Sequence, residues 1–234
     1  MSIYQINRCS IQSNRHEILK IIEQAIQQKQ YFLPIVTINI TMFHEYKKDL
    51  DLYDWLIDHA LFIPDGISIS FLIFKRYFRW IDRTPGIDLV TELLTQSSGY
   101  RVAMVGASQN HLEKAVEFFN LNYSNHELVF SKNGFHEFSD NDWDILKNSA
   151  PDIVLIAMGC PRQDIFMRRL ANELSVGVAV GVGGMFDVWA GSVKRAPKLF
   201  RLIGLEWLYR IILQPVRIFR IIKSIPYLFG RSVN

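Results

Sequence analysis

The sequence predicts an α/β fold: a mostly parallel sheet with helices on both faces, followed by a basic helical appendage. Three observations predict it. Short β-branched or apolar runs alternate with longer stretches of helical spacing. The runs at 152–159 and 176–184 are almost entirely apolar, as strands covered on two sides must be. The charge is divided: residues 193–234 hold nine Lys/Arg against one acid, Glu206, whereas residues 1–192 hold seventeen against twenty-two.

Taken in order, residues 15–29 place Ile18, Ile21, Ile22 and Ile26 at helical spacing. PIVTINI (34–40) reads as a strand. Val36, Ile38 and Ile40 alternate with Thr37, Asn39 and Thr41, so period two puts the polar residues on one side. Residues 42–59 predict one helix with acids and lysines outward. ALFIPDG (60–66) is a short strand stopped by Pro64-Asp65-Gly66. Residues 66–78 form an apolar helix; a polar turn at 82–86 and another helix at 87–96 follow.

The second half is more regular. RVAMVGA (101–107) is a strand, and Ser108 caps the helix after it. Residues 126–135 read as a strand with an Asn-Gly turn, and 140–149 as a short helix. The strand at 152–159 leads to a helix at 161–174 with Pro161 near its first turn. Residues 176–184 are the last strand. No internal repeat or low-complexity linker interrupts the chain. The expected division is an α/β body over 1–192 and a basic amphipathic appendage over 193–234.

Composition narrows the function classes. Apolar residues make up 49% of the 234, which is enough for a core and too many for disorder. The cysteines, Cys9 and Cys160, form neither a disulfide framework nor a metal spacing, so a reducing interior is the simplest setting. The N-terminal stretch lacks the apolar core of a signal peptide. The longest uncharged apolar run, 174–186, has 13 residues, short of the roughly 18 of a spanning helix. If this chain meets a membrane, it is expected to lie on it.

Open α/β sheets bind ligands beyond the carboxyl ends of their strands. Asn39, Asp65, Gly106, Gly159 and Asp187 all fall at or just past predicted strand ends, so they can converge on one rim. A carboxylate such as Asp65 can take a proton from a sugar hydroxyl. The Asn39 amide suits sugar hydroxyls. Gly159-Cys160-Pro161-Arg162-Gln163-Asp164 opens a helix. Arg162, Gln163 and the positive helix end there could hold a phosphate or sugar, or the segment could be a plain helix start. Gly183, Gly184 and Asp187 form a glycine-rich approach to one acid, whereas Gly106-Ala107-Ser108 lacks GxGxxG and reads as a tight turn. No His lies near Cys160 to activate it. Walker A, HExxH, GxSxG and zinc spacings are missing. Asp49-Leu50-Asp51 and Asp140-Asn141-Asp142 read as solvated charge, and no metal site is expected.

In the tail, Lys194 and Arg195 begin the basic cluster, and Arg210, Arg217 and Arg220 share one helical face. Ile211, Ile212, Phe219 and Ile222 add apolar surface, with Pro215 and Pro226 expected to break the run. One reading is a docked helix with a solvated basic edge. The favoured one is an interfacial helix with arginines on lipid phosphates. No nucleic-acid-binding module accompanies the charge.

TINITM, IPDGISI, RTPGIDL, RVAMVGAS, PDIVLIAMGCPRQD, VGVGGMFDVWAGSVKRAP and GLEWLYRIILQPVR together resemble the WecG/TagA/CpsF family, glycosyltransferase family 26. The resemblance implies a Rossmann-like domain with a membrane-reaching C-terminal appendage. It implies inverting, metal-independent transfer of a sugar, typically of N-acetylmannosamine type, from a UDP donor. The acceptor would be a polyprenyl-diphosphate-linked saccharide at the inner face of the cytoplasmic membrane. Asp65 matches the family's candidate base, Thr37 and Asn39 the polar residues beside it, and Gln163 the Gln of the helix start. Arg83 matches the residue placed to hold diphosphate, and Asp187 with its glycines the nucleotide-binding segment. Cys160 and Met185 stand where small residues are common. The alternatives are transfer of glucose or another hexose, and a non-catalytic nucleotide-sugar-binding protein. No cofactor and no nucleic acid are expected; homo-oligomerisation is left open.

Overall fold

The computed structural model describes residues 2–202, 204–213, 215, 218–230 and 233. Its first half runs β1 (Ile3–Ile6), β2 (Cys9–Gln12), α1 (Arg15–Gln28), β3 (Phe32–Ile38), α2 (Ile40–Tyr46), α3 (Leu50–His59), β4 (Leu61–Pro64), α4 (Ile67–Tyr77) and α5 (Gly86–Gln96). The second half continues with β5 (Arg101–Gly106), α6 (Gln109–Asn122), β6 (Glu127–Lys132), α7 (Asp140–Asn148), β7 (Ile153–Ala157), α8 (Arg162–Glu173), β8 (Gly177–Gly181) and α9 (Met185–Trp189). The tail holds α10 (Lys198–Leu202), α11 (Glu206–Leu213) and α12 (Ile218–Leu228).

One eight-stranded sheet has the order β1-β2-β4-β3-β8-β7-β5-β6. Among the described residues only β1 runs antiparallel, at one edge, paired to β2 through Asn7 and Arg8, both at positive φ. The other strands are parallel, so their carboxyl ends share one rim, and the sheet is Rossmann-like. The order splits at β3–β8: strands of the first half lie on one side and those of the second half on the other.

Side-chain alternation builds a core on each face. Val36, Ile38, Val154 and Ile156 point to a core shared with α2, α3, α4, α7 and α8. Leu33, Ile35, Ile153 and Leu155 point to the opposite core with α1, α5, α6 and α9. This is why the central strands read as unbroken apolar runs.

Several boundaries differ from expectation, each for a local reason. The helix expected over 42–59 is two, because Asp49 accepts from Leu52 N at 2.9 Å and caps a new helix. Asp142 is likewise a structural acid. It closes a capping box with Ser139 and pairs with Lys132 at 2.7 Å, which hold its carboxyl down at about 2. The Asn-Gly at 133–134 makes no hairpin, since β6 pairs only in parallel. Instead Asn133 Oδ1 accepts from the backbone N–H groups of Phe135 and His136 and folds the loop back. Pro226 lies inside α12 rather than ending it. In the tail, Phe43 of α2 meets Tyr227 of α12, ring centroids 6.1 Å apart.

Candidate active site

The rim is assembled from the ends of β3 and β4 on one side of the β3–β8 seam and of β8, β7 and β5 on the other. On the first-half side, β3 ends at Ile38, and Asn39 caps α2. Its Oδ1 accepts from Thr41 N at 3.1 Å and Thr41 Oγ1 at 2.6 Å, leaving the NH₂ as the half suited to a ligand. Asp65 N donates to Ile38 O at 3.0 Å, which sets the half-buried Asp65 beside Asn39. A Cβ on the next residue, Gly66, would come within 3.2 Å of Asn39 Cβ, so glycine permits this approach. Thr84 N donates to Pro64 O at 2.6 Å and draws the Arg83 loop to the same strand end. The Arg83 guanidinium donates to the Arg201 carbonyl and lies 3.6 Å from Glu206, so the appendage reaches this residue directly.

On the second-half side, β8 ends in a glycine turn held from two directions. Thr37 Oγ1 donates to Gly181 O at 2.8 Å across the β3–β8 seam. Gln163 Oε1 accepts from Gly159 N at 3.1 Å and Gly183 N at 3.3 Å. Both side chains are buried, so they act as struts of the glycine turn. Gly183 has φ +52, a left-handed conformation that suits glycine. Gly184 then caps α9, whose Asp187 pairs with His111 of α6 at 2.7 Å.

Gly106 and Gly134 close the far wall. Arg162 donates to the Gly134 carbonyl and lies 5.6 Å from the Phe135 ring centroid. Beside the 134–138 loop a cleft of about 370 Å³ is lined by Phe135, His136, Met158 and Arg162, with Trp143, Phe166 and Arg169 of α7 and α8. In the first turn of α8, Asp164 is fully buried, and burial pushes its carboxyl up to about 7, with Tyr46 Oη at 3.4 Å. Burial and the neighbouring Asp164 also push the Cys160 thiol up, which keeps it protonated and a poor nucleophile.

The structure thus places Thr37, Asn39, Asp65, Arg83, Gly106, Gln163, Gly183, Gly184 and Asp187 along one rim, with Arg162 at its edge. The tail residues are dispersed. Lys194 and Arg220 are exposed, Arg195 pairs with Asp88 of α5, and Arg210 lies in α11. Arg217 lies outside the described residues. His111, Glu206 and the Asn133–His136 loop reach the site without having been anticipated. The partners of the first two are 76 and 123 residues distant along the chain, and no spacing rule links them. Among the described residues, no three His, Cys, Asp or Glu side chains are grouped to hold a metal ion.

The sequence model of the Glycosyl transferase WecG/TagA/CpsF family matches residues 4–234. The chain belongs to this family. The match covers essentially the whole described chain, and the family's activity is that of a glycosyltransferase of cell-envelope polysaccharide synthesis. Its reactants are a nucleotide-sugar donor and a sugar acceptor. Among the described residues no helix is long and apolar enough to cross a membrane.

Proposed function

We propose that this family member is an inverting transferase moving a sugar, of N-acetylmannosamine type, from UDP to a polyprenyl-diphosphate-linked saccharide. It would work at the inner face of the cytoplasmic membrane. Residues 1–192 would form the catalytic body and 193–234 a membrane-associating appendage. One observation carries the reading: half-buried Asp65 stands at the end of β4 beside Asn39 and the Arg83 loop, on the same sheet rim as the glycine turn after β8.

In this reading Asp65 takes the proton of the acceptor hydroxyl. The oxygen attacks the anomeric carbon from the face opposite UDP. The bond to the diphosphate oxygen breaks, and UDP leaves with the electron pair. Arg83, Arg162 and the amino end of α8 oppose the charge that develops on the diphosphate. Thr37 and Gln163 act at one remove, by holding the glycine turn on which the donor rests. Asp187, oriented by His111, offers a carboxylate to donor hydroxyls.

The test is a panel of UDP-sugars offered with a polyprenyl-diphosphate-GlcNAc mimic, following released UDP and the anomer formed. Transfer of an N-acetylhexosamine with inversion is expected. Preference for a hexose would revise the donor. UDP-sugar binding with no release of UDP from any donor would leave a binding protein and overturn the reading.

A further inference from the structure

The region 74–80, FKRYFRW, is exposed at every position. Four aromatics alternate with Lys75, Arg76 and Arg79, and no acid intervenes. The inner face of α4 is ordinary core, with Ile69, Leu72 and Ile73 buried. Its outer face is aromatic: Phe74 meets Phe78 at 6.4 Å and Trp80 at 6.1 Å, both edge-on. These side chains form a ridge rather than scattered surface residues.

Phe78 is the least expected member. It caps α4 in the left-handed conformation, φ 53, where glycine is the usual choice. Its side chain is 84% exposed, so packing within the fold does not account for a large ring in that conformation.

The ridge continues into the tail. Lys75 Nζ donates to Leu228 O at 3.3 Å and lies 5.7 Å from the Phe229 ring centroid. Beyond it, α12 exposes Phe219, Ile222 and Ile225 together with Arg220 and Lys223. Gly204, just before α11, packs against Ile67 at the opposite end of α4.

We propose that α4 and the residues to Trp80 form a second membrane-contacting element, joined to α12 in one docking face for an anionic bilayer. Aromatic rings with interleaved Lys and Arg match the chemistry of the headgroup boundary: rings against acyl chains, cations on phosphates. The run of three cations without an acid selects an anionic surface. The ridge is also covalently continuous with the chemistry. Asp65 immediately precedes the Gly66 cap of α4, and Arg83 follows Trp80 by three residues. Docking the ridge brings both toward headgroup level, where a lipid-linked diphosphate lies. This inference rests on the lipid-linked acceptor proposed above.

The test compares the full chain with the double variant Phe78→Glu/Trp80→Glu, both sites being open surface. Unchanged far-UV circular dichroism and melting temperature verify the fold. Co-sedimentation uses phosphatidylcholine vesicles with and without about a third phosphatidylglycerol. The wild-type chain should bind the anionic vesicles and the variant at least about tenfold less. Phe78→Trp alone should keep wild-type binding. Turnover on a short-chain, water-soluble acceptor should not change. Binding by the variant equal to wild type overturns the inference, as does a wild-type chain that binds no vesicles. A wild-type dimer that the variant makes monomeric, with vesicle binding unchanged, would make the ridge a subunit contact instead. Absence of transfer to any diphosphate acceptor by the wild-type chain would overturn the proposed function, whatever the vesicles report.

Discussion

Glu206 faces Arg83 across 3.6 Å, with both side chains mostly buried. The single acid of residues 193–234 is therefore paired with the arginine that closes the loop beside Asp65. This contact ties the placement of the appendage to the electrostatics of the site. Glu206→Gln should cost about 1–3 kcal/mol of stability and speed tryptic cleavage between Lys194 and Arg201. Arg83→Ala should loosen the tail equally and in addition weaken UDP binding. Loosening with unchanged UDP affinity would make Arg83 an anchor only.

Asp65→Asn keeps the shape of the β4 end and removes its basicity. Turnover should fall by about 10²–10⁴-fold, while the affinity for UDP, measured calorimetrically, stays within about twofold. A variant that still turns over normally would move the base elsewhere.

Gly106 and Gly159 both have positive φ, but their surroundings differ. A Cβ on Gly106 would lie 2.4 Å from the Ala157 carbonyl oxygen, whereas one on Gly159 meets nothing within 4 Å. Gly106→Ala should therefore cost about 3–5 kcal/mol, since backbone must move, and Gly159→Ala only about 1–2 kcal/mol from the backbone conformation. Denaturant melts of the two variants separate steric conflict from conformational preference.

Asp164 binds its proton more tightly in the folded chain, where its pKa is about 7, than in the unfolded one, near the ordinary carboxylate value. Its contribution to stability thus falls as pH rises from about 4 to 7, and the penalty is full above that window. Asp164→Asn should be more stable than wild type by about 1–3 kcal/mol at pH 8, with the gain vanishing near pH 4. A difference in melting temperature that does not vary with pH would contradict this.

Short apolar runs made the central strands legible: β3, β5, β7 and β8 fall where those runs stand, because both faces are buried. The strand-end rule then brought Asn39, Asp65, Gly106 and Asp187 to one rim. The β1–β2 hairpin was not legible, since its edge strands are short and its Asn7-Arg8 turn carries no glycine. Nor did residue type reveal division of labour. Thr37 and Gln163 look like ligand-facing polar residues, yet they are buried on the backbone of the glycine turn. That distinction depends on a bond between Thr37 and Gly181, which are 144 residues apart. The aromatic ridge of α4 read only as an apolar helix, because composition does not say which face is left uncovered.

The seam between β3 and β8 has a consequence for the order of events during synthesis. One central strand is made early and its neighbour late, so β3 keeps an unpaired edge until about residue 181 has emerged. Pairing across such a distance is slow. Until it happens, Asp65 has no opposing wall, and a nascent chain holds neither half of the reaction in register. The exposed β3 edge is what a holding chaperone would need to cover meanwhile. The two walls of the proposed site therefore meet only late, when the last strand enters the middle of the sheet.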